Sequence, residues 1–215
     1  MSAFLDFTVP REAFVLGQVL DVDHVGYIEL TQFVPVGESL VPFFWAETDD
    51  AEAFEAAVTD SPRVADLVGL DGVTGQTLYR VQWESGVDGL LDALQAHDIA
   101  VLHASTRDGD WWFKTVAADR EVFTRFQAAC HEKGLPIEVR RLSNGRTRER
   151  ALYGLTEKQR DALLLAYRAG YFEPGTDVRL GDISERLEIS QQALGGRLKR
   201  GTHALVRNTI AFGDA

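Results

Sequence analysis

Apolar and polar positions alternate with a period of two along the first two thirds of the chain, and helical spacing takes over in the last third. Over residues 77–142 the pattern predicts strands at Thr77–Trp83, Ile99–Ser105, Trp111–Val116 and Ile137–Leu142, with amphipathic helices at Val87–Ala96 and Asp119–Lys133. Asp108-Gly109, between the two central strands, is a hairpin signal. This order of strand, helix, strand, strand, helix, strand predicts a ferredoxin-like unit, with two helices over one face of an antiparallel sheet. A weaker series precedes it: strands at Phe4–Val9, Tyr27–Val34, Leu40–Ala46 and Val64–Leu70, with a helix at Asp50–Val58. The N-terminal region, residues 1–142, is therefore expected to hold a pair of ferredoxin-like α/β units, at about 1–71 and 77–142.

An internal match supports duplication. Phe43-Phe44 followed by Asp50, Glu52 and Phe54 corresponds to Trp112-Phe113 followed by Asp119, Glu121 and Phe123 at a constant offset of 69. Alternation places Phe44 and Phe113 beneath the helices and Phe43, Trp45 and Trp112 on the opposite face. Aromatic side chains on an open face need a cover. The candidates are packing of the two sheets, a second subunit or a ligand, so Phe43, Trp45 and Trp112 mark a candidate interface or ligand face.

The polar run 143–150, which contains the turn signal Asn144-Gly145, reads as a linker to a separate domain at 151–215. That domain begins with a capping-box pattern, Thr156 as N-cap and Gln159 three residues on, ahead of a helix of roughly fourteen residues that Gly170 ends. A second helix is predicted from about Leu180 to Leu187, a turn at Glu188-Ile189, and a third helix capped by Ser190 and running to about Val206. Ile183, Leu187, Ile189, Leu194 and Leu198 fit the inward positions of a helix-turn-helix, with Ser184 as the small residue at the crossing. With Leu194 and Leu198 inward, Gln192, Gly196, Lys199 and His203 point outward and Gln191 and Arg200 flank them. Gln suits an adenine edge in the major groove, and Lys199 and Arg200 suit phosphates. The candidate DNA-binding residues are thus Ser190, Gln191, Gln192, Gly195, Gly196, Lys199, Arg200 and His203. Gly195 and Gly196 each weaken the third helix by about 1 kcal/mol, so it is either frayed until DNA orders it or bare for close approach to the groove.

The runs Leu-Thr-Glu-Lys-Gln-Arg (155–160), Ala-Tyr-Arg-Ala-Gly-Tyr-Phe (166–172), Ile-Ser-Gln-Gln-Ala-Leu (189–194) and Arg-Leu-Lys-Arg (197–200) resemble the bacterio-opsin-activator type helix-turn-helix of haloarchaeal regulators. That domain is similar to the DNA-binding parts of response regulators and sigma factors. The N-terminal region more loosely resembles the associated domain of the same regulators. The resemblance implies an α+β protein with an all-α helix-turn-helix domain at its C-terminal end, regulating transcription from double-stranded DNA.

Charge sharpens this picture. The net charge is −11, yet residues 1–139 carry 8 Lys/Arg against 24 Asp/Glu while residues 140–215 carry 14 against 9. A polyanion partner therefore belongs to the second domain. Only four of the 22 basic residues are lysines, a composition similar to that of proteins from salt-loving archaea. Cys130 is the single cysteine, which excludes an internal disulfide and reads as a buried apolar residue. The histidines are scattered, and His97 with His103 falls short of a metal-ligand set. Gly69, Gly72 and Gly75 have the wrong spacing for a phosphate loop. No enzyme activity, cofactor or metal is expected, and the absence of a long apolar run or a secretion signal points to the cytoplasm. A homo-oligomer, a dimer for preference, is the expected assembly. The competing reading is a sensor in which a small-molecule effector bound by the N-terminal domain controls DNA affinity.

Overall fold

A computed structural model of the chain describes residues 2–23, 25–30, 43–73, 75–84, 89–107, 109–144 and 153–211. They form two compact units, Met1–Asn144 and Gly145–Ala215. The expected strand ends at 31–34 and 40–42, residues 87 and 88 of an expected helix, Asp108 of the hairpin signal and linker residues 145–150 lie outside the described residues.

The first unit begins with strand β1 (Ala3–Pro10), a short 3-10 turn (Arg11–Ala13) and helix α1 (Val15–Leu20), followed by β2 (Val25–Leu30) and β3 (Phe43–Thr48). Helix α2 (Ala51–Thr59), strands β4 (Val64–Val73) and β5 (Gln76–Trp83), and helix α3 (Gly89–Ala96) come next. Strands β6 (Ala100–Arg107) and β7 (Asp110–Ala117), helix α4 (Arg120–Glu132) and strand β8 (Glu138–Asn144) complete it. Helix α1 is absent from the pattern reading because six residues are too few for a helical period to register, and Gly17 interrupts it. That glycine is required: a Cβ there would run into the Arg11 carbonyl of the preceding turn.

All eight strands join one antiparallel sheet in the order β4-β5-β3-β2-β6-β7-β1-β8. This corrects the expected pair of self-contained ferredoxin-like units at 1–71 and 77–142. In such a unit the first strand lies between the third and fourth of its own series. Here β1 lies between β7 and β8 and β5 lies between β3 and β4, so each half of the sheet takes its inner strand from the other half. Alternation alone cannot tell these arrangements apart, because β1 and β5 both present buried residues at every second position, Leu5, Phe7 and Val9 in one and Tyr79 and Val81 in the other. The order is symmetric about the junction of β2 and β6, where, among the described residues, Glu29 pairs with Ser105 and Leu30 with Ala104.

The equivalent pieces repeat in detail. Asp50 and Asp119 cap α2 and α4 by accepting from Ala53 N at 3.0 Å and Val122 N at 3.1 Å. Phe44 and Phe54 on one side, and Phe113 and Phe123 on the other, are fully buried. One core joins helices to sheet: Phe44 packs on Phe54 and Tyr79, while Phe7 stacks on Phe113 at 5.2 Å and meets Phe126 of α4. Cys130 is buried in that core, which pushes its thiol pKa up to about 11.

The second unit contains α5 (Glu157–Arg168), α6 (Leu180–Arg186) and α7 (Gln191–Asn208). Ala162, Ala166, Ile183, Leu194 and Leu198 form its buried centre.

Candidate nucleic-acid interface

Each helix of the second unit starts and stops on local chemistry. At the head of α5, Gln159 N donates to Thr156 Oγ1 at 3.3 Å and Thr156 N donates to Gln159 Oε1 at 2.9 Å, a reciprocal cap. Helix α5 ends at Gly170, whose φ of +79° lets Tyr171 N reach back to the Ala166 carbonyl at 3.0 Å. Asp182 accepts from Arg179 N at 2.7 Å and anchors the start of α6. Between α6 and α7 the chain reverses through Glu188, whose φ of +53° lies in the left-handed region, and Ile189 N closes the turn on the Ser184 carbonyl at 3.1 Å. Ser190 then caps α7, its Oγ accepting from Ala193 N at 3.1 Å.

Ser184 is buried and donates to the Gly181 carbonyl at 2.9 Å, so its hydroxyl is satisfied within its own helix. Gly201 allows α7 to close on α5, where a Cβ would stand 2.8 Å from Leu163 Cδ1. These contacts hold α7 by Leu194, Leu198 and Gly201, and they leave the opposite face free. Gln191, Gln192, Lys199, Arg200 and His203 are all exposed, and Gly195 and Gly196 are half-buried. Gln191 turns toward the start of α6, its amide nitrogen 3.1 Å from where a Gly181 Cβ would stand. The exposed Ser190 spends its Oγ on the cap. Arg207, also exposed, continues the outward stripe one turn beyond His203. Sequence reasoning missed it by ending the helix at Val206, and the signal was present in the unbroken polar spacing of 199, 203 and 207.

The outward face thus presents amide groups at the start of the helix and cations along its later turns, over a buried apolar seam. The family model described as an HTH DNA binding domain matches residues 155–207, and the model described as the GAF and HTH_10 associated domain matches residues 4–151. The chain belongs to the bacterio-opsin-activator-type regulators. It is a DNA-binding transcription regulator with a regulation-associated domain ahead of its helix-turn-helix, of a family kind that is not enzymatic. No curated protein matches the chain. Among the described residues no helix is long and apolar enough to cross a membrane.

In the N-terminal domain of this bacterio-opsin-activator-type regulator, Phe43, Trp45 and Trp112 lie half-buried on the face opposite Phe44 and Phe113. The Arg140 guanidinium of β8 reaches across β1 to lie 5.3 Å over the Trp112 ring, held by Thr8 Oγ1 at 3.3 Å and Glu138 at 2.8 Å. Beside it runs a row of polar residues across four strands, Arg141, Asp6, Lys114 and His103. Burial raises the pKa of Asp6 and lowers that of Lys114, and the attraction between the two charges opposes both shifts. The spacing of aromatic residues pointed to this face, but nothing in the pattern announced its row of charges or the burial of Lys114.

Proposed function

We propose that this regulator recognises a specific double-stranded DNA site by laying α7 in the major groove, with Gln192 reading a base edge and Lys199 and Arg200 placed on phosphates. The observation that carries this reading is the division of α7 into a buried apolar seam at Leu194 and Leu198 and an exposed polar stripe on the far side. Gln191 and Ser190 position the start of the helix. The acidic first domain, with its helix-free aromatic face at Phe43, Trp45 and Trp112, serves as the oligomerisation and regulatory part, and a second copy of the chain is the partner that face fits. The duplicated, strand-exchanged halves are read as two ferredoxin-like units fused through β2 and β6.

The composition suits a salt-rich interior, where phosphate contacts are weakened. Affinity falls by about 0.9 log unit per log unit of salt for each phosphate contact, so such a regulator relies on base edges more than on phosphates. Binding isotherms from low to molar potassium should give a shallow slope for the parent. Arg200→Ala should lower that slope by about one unit on every sequence, whereas Gln192→Ala should lose about 1–3 kcal/mol of discrimination at one base pair and leave the slope unchanged. A steep parental slope, or an exchange of the two signatures, contradicts the assignment.

A further inference from the structure

Helix α7 carries three glycines besides its seam and stripe, and their surroundings differ. At Gly201 the backbone is buried, and a Cβ would stand 2.8 Å from Leu163 Cδ1 and 3.3 Å from Leu163 Cγ. The approach of α5 demands glycine there. A Cβ at Gly195 would make an ordinary contact with Leu180 Cδ2 at 3.6 Å. At Gly196 the closest atom would be Nη1 of Arg200 at 3.1 Å, the far end of a flexible, exposed side chain. Packing within the domain asks for glycine at 201 and has no such requirement at 196. Glycine nevertheless weakens the interior of a helix relative to alanine, so residue 196 lowers the stability of α7 without serving its fold.

The place of Gly196 on the helix says what its bareness serves. At about 100° per residue, the direction opposite Leu194, Leu198 and Gly201 passes through Gln192, Gly196 and His203. Gly196 is therefore on the crest of the outward stripe, four residues after Gln192 and three or four before Lys199 and Arg200, the spacing at which helix neighbours meet. An α-helix with its side chains is about 10–12 Å across, and the major groove of B-DNA is about 12 Å wide and 8.5 Å deep. A helix with a side chain on its crest fills the groove before its backbone reaches the base edges, while one that is bare there sits deeper.

We infer that Gly196 is the point at which the α7 backbone lies against base-pair edges in the major groove, and that its missing side chain sets the depth to which Gln192 reaches. This rests on the reading of α7 as the recognition helix. The test uses the full-length chain and a DNA site that the parent selects from a random-sequence pool. Affinity and the thermal midpoint of the C-terminal domain are measured for the parent, Gly196→Ala, Gly196→Leu and Gly201→Ala. Gly196→Ala should raise the midpoint yet weaken specific binding by about tenfold or more, and Gly196→Leu should weaken binding further although leucine is also a good helix former. Gly201→Ala should lower the midpoint. Parental affinity in both Gly196 variants would overturn the inference alone, as would a midpoint that falls together with affinity. A parent that selects no site would overturn the recognition-helix reading and this inference with it.

Discussion

His103 stands on the helix-free face of β6, across from Lys114 on β7, with its Nδ1 3.4 Å from a carboxylate oxygen of Glu29. Burial, and then the Lys114 ammonium, hold its pKa down to about 4 from an ordinary 6.5. Burial also raises the pKa of Glu29, which weakens a neighbour that would favour an imidazolium. As pH falls through 6.5 the unfolded chain takes up a proton that the folded chain refuses until pH nears 4. The stability this group contributes is therefore complete above the unfolded pKa and is lost as pH falls through that window, by about 1.4 kcal/mol for each pH unit at most. Denaturant titrations across the window should show a shallower loss for His103→Gln than for the parent. Identical pH profiles would mean that His103 titrates alike in both states.

At the scale of the element, β7 places two adjacent tryptophans in different environments. Trp111 is 1 % exposed and packs edge-on against Phe14 at 5.9 Å, on the side of the sheet that the helices cover. Trp112 is half-buried beneath Arg140. Truncating a fully buried large aromatic side chain costs about 3–5 kcal/mol. Trp111→Ala should fall in that range, and Trp112→Ala should cost clearly less at dilutions where the chain is a single copy, because part of its surface is then in water. Urea midpoints of the two variants rank them, and a larger loss at Trp112 would mean that its face is sealed in solution by another surface. The caps are also decided at this scale. Asp50, Asp119, Thr156 and Ser190 each stand at the residue before a helix and accept from a backbone N–H three residues on.

Across the whole N-terminal domain, the exchange of β1 and β5 ties the two halves together. Strand β1 pairs with β7 and β8, and β5 pairs with β3 and β4, so removing either half takes a central strand from the other. Residues 1–144 should therefore unfold in a single cooperative transition, and fragments divided between β4 and β5 should not fold apart. Calorimetry of the domain and circular dichroism of the fragments provide the check. Two separate transitions, or a folded half, would show that the exchange does not couple them.

Much of the local order was legible from neighbours in the chain, the short helix α1 excepted. The caps Thr156 and Ser190, the turn at Glu188 and Ile189, the inward set Ile183, Leu194 and Leu198, and the division of Phe43 from Phe44 all follow from periods of two and 3.6 residues and from cap chemistry. The motif runs of the last third carried the family as well. Strand order was decided by tertiary structure, because β1 and β5 offer interchangeable alternation and only long-range pairing chooses between them. The row of half-buried Asp6 and His103 with buried Lys114 between them depends on registers between strands far apart in sequence. Tertiary structure also separated the glycines of α7, since the demand for glycine at 201 comes from Leu163 on another helix, and no pattern within α7 contains it.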